Sequence, residues 1–176
     1  MIIPYDFEIE LSEYAVLGKE NDFPMFDQCP NCQCPSPGNI HRHGYYWRFG
    51  VTEEETVRVP ICRMKCLQCK VSLSIFPDFF IPYFQHTIHT ILQRVYQLLH
   101  DKKGKSSRQL LRFHLTRFCK SLKWVHTFLV TLGVVSGFSA DIKKEAIKYL
   151  NLLRDFGEST FLRRSWGHNS SYFMAH

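Results

Sequence analysis

A chain of 176 residues with 45% hydrophobic and 22% charged content is long enough for one compact domain or two small ones, and too apolar to be disordered. Its longest apolar run, about Phe128 to Val135, is interrupted by Thr131 and Gly133 and is too short to cross a bilayer; the N-terminus Met1-Ile2-Ile3-Pro4 lacks the basic start and apolar core of a signal peptide. A cytoplasmic protein without membrane attachment is expected, and in a reducing compartment its seven cysteines favour metal thiolates over disulfides.

Charge is unevenly spread along the chain. Residues 1–28 hold 7 acids and 1 base, a net −6, and read as an acidic N-terminal arm that could hold a protein partner. Within the arm, Ile3, Phe7, Ile9 and Leu11 alternate with acids, the pattern of an edge strand, and Asn21-Asp22-Phe23-Pro24 reads as a turn.

Residues 29–85 read as a β-rich metal ribbon. Cys29-Pro-Asn-Cys32 and Cys66-Leu-Gln-Cys69 are two C-x₂-C pairs, the spacing of a tetrathiolate site. Each pair makes a tight turn with both thiolates on one side, and two facing turns complete a tetrahedron. One structural Zn²⁺ is expected, with iron as the alternative occupant. Cys34 and Cys62 lack C-x₂-C geometry with each other and are assigned beside the site or in the core; with His41 and His43 they are the replacements should one ligand be wrong.

Between the pairs, His41 to Phe49 is an aromatic-rich strand in which Arg42 and Arg48 interleave with Tyr45, Tyr46 and Trp47, a pattern suited to stacking on bases or gripping a phosphate backbone. Thr56 to Met64 alternates Val57, Val59 and Ile61 against polar positions, and Pro60 places this strand at an edge. Val71 to Phe76 is a last strand, followed by the apolar connector Pro77 to Tyr83.

Residues 86–176 carry 15 bases and 5 acids, a net +10, which points to a polyanionic partner. Residues 86–156 read as a helical domain. Ile88, Ile91, Leu92, Val95, Leu98 and Leu99 form an amphipathic stripe, ended by Asp101 to Lys105. A short helix from Ser107 to His114, a break at Leu115-Thr116 and a helix from Ser121 suggest a helix–turn–helix. In that arrangement Ser121, Lys123, His126 and Thr127 face the bases, and Arg108, Arg112, Arg117 and Lys120 lie near phosphates. A fourth helix, capped by Ser139, turns Ile142, Ala146, Ile147, Leu150 and Leu153 inward. The tail 157–176 is expected to be loosely ordered, with Phe161, Leu162 and Trp166 able to dock it.

Catalytic signatures are missing from the pattern. There is no phosphate-cradling glycine loop and no Gly-x-Ser-x-Gly, and Glu53-Glu54-Glu55 are adjacent in one turn and cannot converge on a metal. A non-enzymatic protein is expected.

The run Cys-Pro-Asn-Cys, His-Arg-His-Gly-Tyr-Tyr-Trp-Arg, Val-Arg-Val-Pro-Ile-Cys-Arg-Met-Lys-Cys-Leu-Gln-Cys-Lys and Leu-Ser-Ile-Phe-Pro-Asp-Phe resembles the N-terminal zinc-ribbon region of bacterial insertion-sequence transposases and of short open reading frames carried with them. The resemblance covers roughly residues 29 to 130. It implies zinc, a following helix–turn–helix and binding to double-stranded DNA ends, with nucleoid association. The acidic catalytic domain of a full transposase has no counterpart, so strand transfer is not implied. The expected architecture is therefore α+β, a zinc ribbon packed on a helical bundle, acting as an accessory or regulatory factor. A zinc-scaffolded protein-interaction module and a binder of single-stranded nucleic acid or RNA remain the alternatives.

Overall fold

The computed structural model describes residues 1–100 and 106–175. It is an α+β protein whose described residues form one four-stranded sheet and five α-helices, and it divides into two compact units. The first comprises Met1–Gly50 and Thr56–Asp78, the second Val51–Glu55 and Phe79–His176.

The first unit holds strands β1 (Ile2–Tyr5), β2 (Ile40–Val51), β3 (Thr56–Cys66) and β4 (Ser72–Pro77) in the order β1-β4-β3-β2. β1 runs parallel to β4, with Ile2 opposite Ser74 and Tyr5 opposite Pro77, and β3 runs antiparallel to β4. The acidic segment thus holds one short strand and one short helix joined by loops. Only Ile2–Tyr5 is extended; Leu11–Leu17 forms helix α1, where Leu11 and Tyr14 are buried. The alternation through Ile9 and Leu11 is therefore not a strand. Leu11 and Tyr14 stand three apart and share one helix face.

An aromatic cluster ties this segment to the sheet. Phe7 meets Tyr14 edge-on at 4.8 Å and Phe23 at 5.5 Å, and the Tyr14 hydroxyl donates to the Pro60 carbonyl at 2.8 Å. Pro60 does not mark an edge: β3 is an interior strand, between β4 and β2. The β3–β4 pairs Arg63–Ser74, Met64–Leu73 and Lys65–Ser72 lie beyond the proline. Ile61 and Cys62 point to opposite faces and both are fully buried, so the middle of β3 is covered on both sides.

In the second unit α2 (Ile88–Leu99) follows the expected stripe, with Thr87 capping it by accepting from the Thr90 amide. The stop read at Asp101 to Lys105 lies outside the described residues. α3 (Arg108–Thr131) is one continuous helix of 24 residues. The break at Leu115-Thr116 is absent, so the two short helices of a helix–turn–helix across this stretch are not formed. The reason lies in the pattern. Leu111, His114, Phe118, Leu122, Val125 and Leu129 are all buried on one continuous stripe, while Arg108, Arg112, Thr116, Lys120 and Lys123 are exposed, and no Gly or Pro interrupts them.

α4 (Ile142–Phe156) is capped by the Asp141 side chain, which accepts from the Lys144 amide at 3.1 Å, rather than by Ser139. Its inward face is Ala146, Tyr149, Leu150 and Leu153, and Ile142 is exposed. The described residues of the tail, 157–175, are docked: α5 (Glu158–Arg164) buries Phe161 and Leu162, and Phe173 and Met174 enter the same core as α2, α3 and α4. Phe161 makes edge contacts with Phe173 at 5.2 Å and Phe128 at 5.6 Å. Among the described residues, no helix is long and apolar enough to cross a membrane.

Candidate metal centre

The two C-x₂-C turns come together at one end of the sheet. Cys66 closes β3 and Cys69 lies in the turn into β4; Cys29 and Cys32 belong to the loop before β2. The four sulfurs all lie within 4.8 Å of one another. Cys29 Sγ is 3.8 Å from Cys69 Sγ, and Cys32 Sγ is 3.8 Å from Cys66 Sγ. Sulfurs at ~2.3 Å from a tetrahedral ion stand ~3.8 Å apart. The tetrad therefore has the dimensions to hold one metal ion.

The backbone builds the two turns alike. The Cys29 amide donates to the Cys34 carbonyl at 2.8 Å, and the Cys66 amide donates to the Val71 carbonyl at 3.1 Å, a link of five residues in each case. The residue after the second cysteine is left-handed in both, Gln33 at φ 59° and Lys70 at φ 63°. That reversal turns the next amide, of Cys34 and of Val71, toward the second sulfur of each pair. The Cys69 amide holds the Cys66 thiol down to about 6, and the Val71 amide holds Cys69 below its ordinary value. The Cys34 amide acts in the same direction on Cys32, but burial and the adjoining Cys34, Cys69 and Cys29 thiols push it up to about 12. Thiols this close hold one another's protons until a cation replaces them.

Cys29 and Cys66 are fully buried, Cys69 is half-buried and Cys32 is exposed. Cys34, assigned from sequence beside the site, has its sulfur 3.5 Å from Cys66. Cys62 is buried in β3, where burial raises its thiol.

The residues expected to touch nucleic acid separate into two groups. On α3, Arg108, Arg112, Lys120 and Lys123 are exposed and Arg117 is half-buried. They fall on the outer face together with Gln109 and Thr116, which sequence reasoning did not single out although their helical spacing places them there. Ser121 is not on that face. It is 2% exposed and its hydroxyl donates to the Phe118 carbonyl at 2.8 Å. His126 and Thr127 are engaged within the unit: His126 Nδ1 lies 2.7 Å from the Tyr149 hydroxyl, and Thr127 Oγ1 donates to the Trp124 carbonyl at 2.8 Å. On β2, Arg42 is exposed and lies over the Phe23 and Tyr45 rings, whereas Arg48 is half-buried with its guanidinium 4.8 Å from the Phe76 ring, and burial lowers its pKa.

The family model described as a domain of unknown function (DUF6431) matches residues 29–128, more than half of the chain. The chain belongs to that family. The DUF6431 match opens on the first cysteine of the tetrad and runs through the whole basic face of α3. No curated protein and no solved structure matches the chain.

Proposed function

We propose that this DUF6431 chain is a zinc-stabilised, non-catalytic binder of double-stranded DNA, an accessory or regulatory factor of the kind carried with mobile elements. The observation that carries the reading is the composition of α3. Five cations, Arg108, Arg112, Arg117, Lys120 and Lys123, occupy a helix without one acid. A helix of this length extends about 36 Å, close to one turn of duplex DNA. Cations spaced along such a rod neutralise phosphates and release counterions, which supplies affinity without sequence. Zinc suits the tetrad because four thiolates close a tetrahedral site around a redox-inert ion. The likeness of residues 29 to 130 to transposase ribbons supports the same class of partner.

Arg112 and Lys123 provide the test. The zinc-loaded protein is titrated against labelled duplex and single-stranded DNA at several salt concentrations by anisotropy. Duplex binding that weakens with salt is expected. Arg112→Glu and Lys123→Glu should each weaken it and lower the log–log salt slope by about 1 per lost phosphate contact. Full affinity in both variants would remove α3 from the interface.

A second reading has its own observation. Trp47 and Phe49 are 43% and 48% exposed on one face of β2, and the Arg58 guanidinium lies 5.7 Å from the Trp47 ring. Exposed aromatics beside a cation suit stacking on unpaired bases. Preference for the single strand in that titration, lost on Trp47→Ala, would select this reading.

A further inference from the structure

The four strands of the first unit hold five formal cations, Arg42, Arg48, Arg58, Arg63 and Lys65, and not one acid. Two of them stand together. Arg63 and Lys65 are two apart on β3, so both side chains leave the same face, about 7 Å from each other. The ladder sets Arg63 opposite Ser74 and Lys65 opposite Ser72, on strands about 5 Å apart. Two cations and two hydroxyls therefore occupy one small rectangle. The alternate positions Cys62, Met64, Leu73 and Ile75 are buried, whereas Ser72 is exposed and Arg63, Lys65 and Ser74 are half-buried. The open face here is the polar one.

Arg63 is the informative residue. Its Nε is buried and has no hydrogen-bond partner. A buried donor in that state is costly, and native structures rarely leave one unless a water or ligand completes it. Among the described residues, neither Arg63 nor Lys65 takes part in an ion pair. Lys65 precedes the metal ligand Cys66, but the strand alternates, so its ammonium leaves the face opposite to that thiol. From β2, Tyr46 adds a third hydroxyl, which hydrogen-bonds the Ser74 side chain and lies in the field of Arg48 and Arg63. The Tyr46–Ser74 pair uses one O–H internally and keeps one to give.

We infer that this face of the sheet binds a phosphate group, with the Arg63 guanidinium and the Lys65 ammonium on its oxygens and the hydroxyls of Ser72 and of the Tyr46–Ser74 pair completing its hydrogen bonds. Both cations are donors only, so their complement is an anion. The guanidinium fork takes two oxygens in parallel, and the ammonium adds a point charge. A carboxylate has no oxygen left for Lys65 and the hydroxyls once the fork is filled, whereas a phosphate does. A phosphate monoester also carries about two negative charges near pH 7, which match the two cations. A free phosphate ester and the backbone of a nucleic acid present this same chemistry.

The full zinc-loaded chain is titrated with inorganic phosphate and with acetate by calorimetry at constant ionic strength, with the Arg63 Nε–H followed by NMR. Phosphate should bind one to one and shift that resonance, and acetate should bind at least about tenfold more weakly. Arg63→Gln and Lys65→Gln should each weaken phosphate about tenfold. Lys65→Gln keeps the test open should Arg63→Gln fail to fold. A short DNA duplex then separates the sources. Duplex affinity that falls in Lys65→Gln identifies a backbone phosphate, and duplex affinity that stays while phosphate binding is lost identifies a free phosphate ester. The phosphate titration does not involve α3, so it reads the same whether or not Arg112 and Lys123 contact DNA. Phosphate bound no tighter than acetate, equal phosphate binding in Lys65→Gln, or an unmoved Arg63 resonance would overturn the assignment.

Discussion

Replacing Cys66 by Ser removes one of four ligands while leaving the side chain nearly the same size. A structural Zn²⁺ site contributes about 10–16 kcal/mol of binding free energy, which an equal share among four thiolates divides into about 3–4 kcal/mol each. Losing one should therefore weaken metal binding by roughly 10²- to 10³-fold. Net domain stability is only about 5–15 kcal/mol, so the same change should lower the melting temperature of the sheet unit well beyond an ordinary surface substitution. Cys34→Ser is the matched control. Its sulfur is 3.5 Å from Cys66, nearer than Cys32 at 3.8 Å, yet it stands outside the tetrad. Competition with a chromophoric chelator reads the affinity, and native mass spectrometry reads one ion per chain. Equal losses in Cys34→Ser and Cys66→Ser would refute the tetrad, as would a wild-type melting curve unchanged after complete metal removal.

Three further outcomes are expected. Phe161→Ala should cost about 3–5 kcal/mol in denaturant unfolding, because Phe161 is fully buried among Trp124, Phe128 and Phe173; a loss under 1 kcal/mol would detach α5 from the core. Glu53→Ala should cost about 3–5 kcal/mol, because Arg94 is 4% exposed and its Nε donates to Glu53 Oε1 at 2.5 Å, so removal of the acid leaves a buried cation uncompensated; a neutral result would mean that water replaces the carboxylate. Acidification should also destabilise the second unit. His86 and His114 have folded pKa values of about 4 and about 3, below the ordinary 6.5, so the unfolded chain binds their protons first and stability falls as pH drops from about 6.5 toward 4. His86→Gln should flatten that fall when unfolding of the helical signal is followed against pH, and an unchanged slope would exclude the histidines as its source.

Much of the candidate centre was legible because its spacing is chemical. Two C-x₂-C pairs leave few arrangements that bring four sulfurs to one point, and the structure brings Cys29, Cys32, Cys66 and Cys69 there. The strands around them were legible from their period of two, and α2 from its stripe. The errors arose where a polar residue serves a helix surface. Thr116, Arg117 and Lys120 look like a turn when read in a row, but at helical spacing they are the outer side of α3. His114 is a polar residue on the buried stripe, and treating it as the end of a helix divided the element in two. α1 was hidden because acids between Phe7 and Leu11 imitate the alternation of a strand. Cys34 shows the limit of spacing: a third cysteine two residues past the pair approaches the site only because Gln33 takes a left-handed turn.

The matching hydrogen bonds of the two cysteine turns bear on how metal is acquired. Each turn closes over six residues and can form from local sequence alone, presenting two sulfurs before the rest of the unit exists. Capture then proceeds in stages: one turn takes the ion bidentately, and the other must arrive across the 33 residues that separate Cys32 from Cys66. Closing a loop of that length costs about 3 kcal/mol of chain entropy. The first pair of bonds is thus a fast local encounter, and the second pair waits on the hairpin between them, so ion uptake should report the rate at which β2 and β3 assemble.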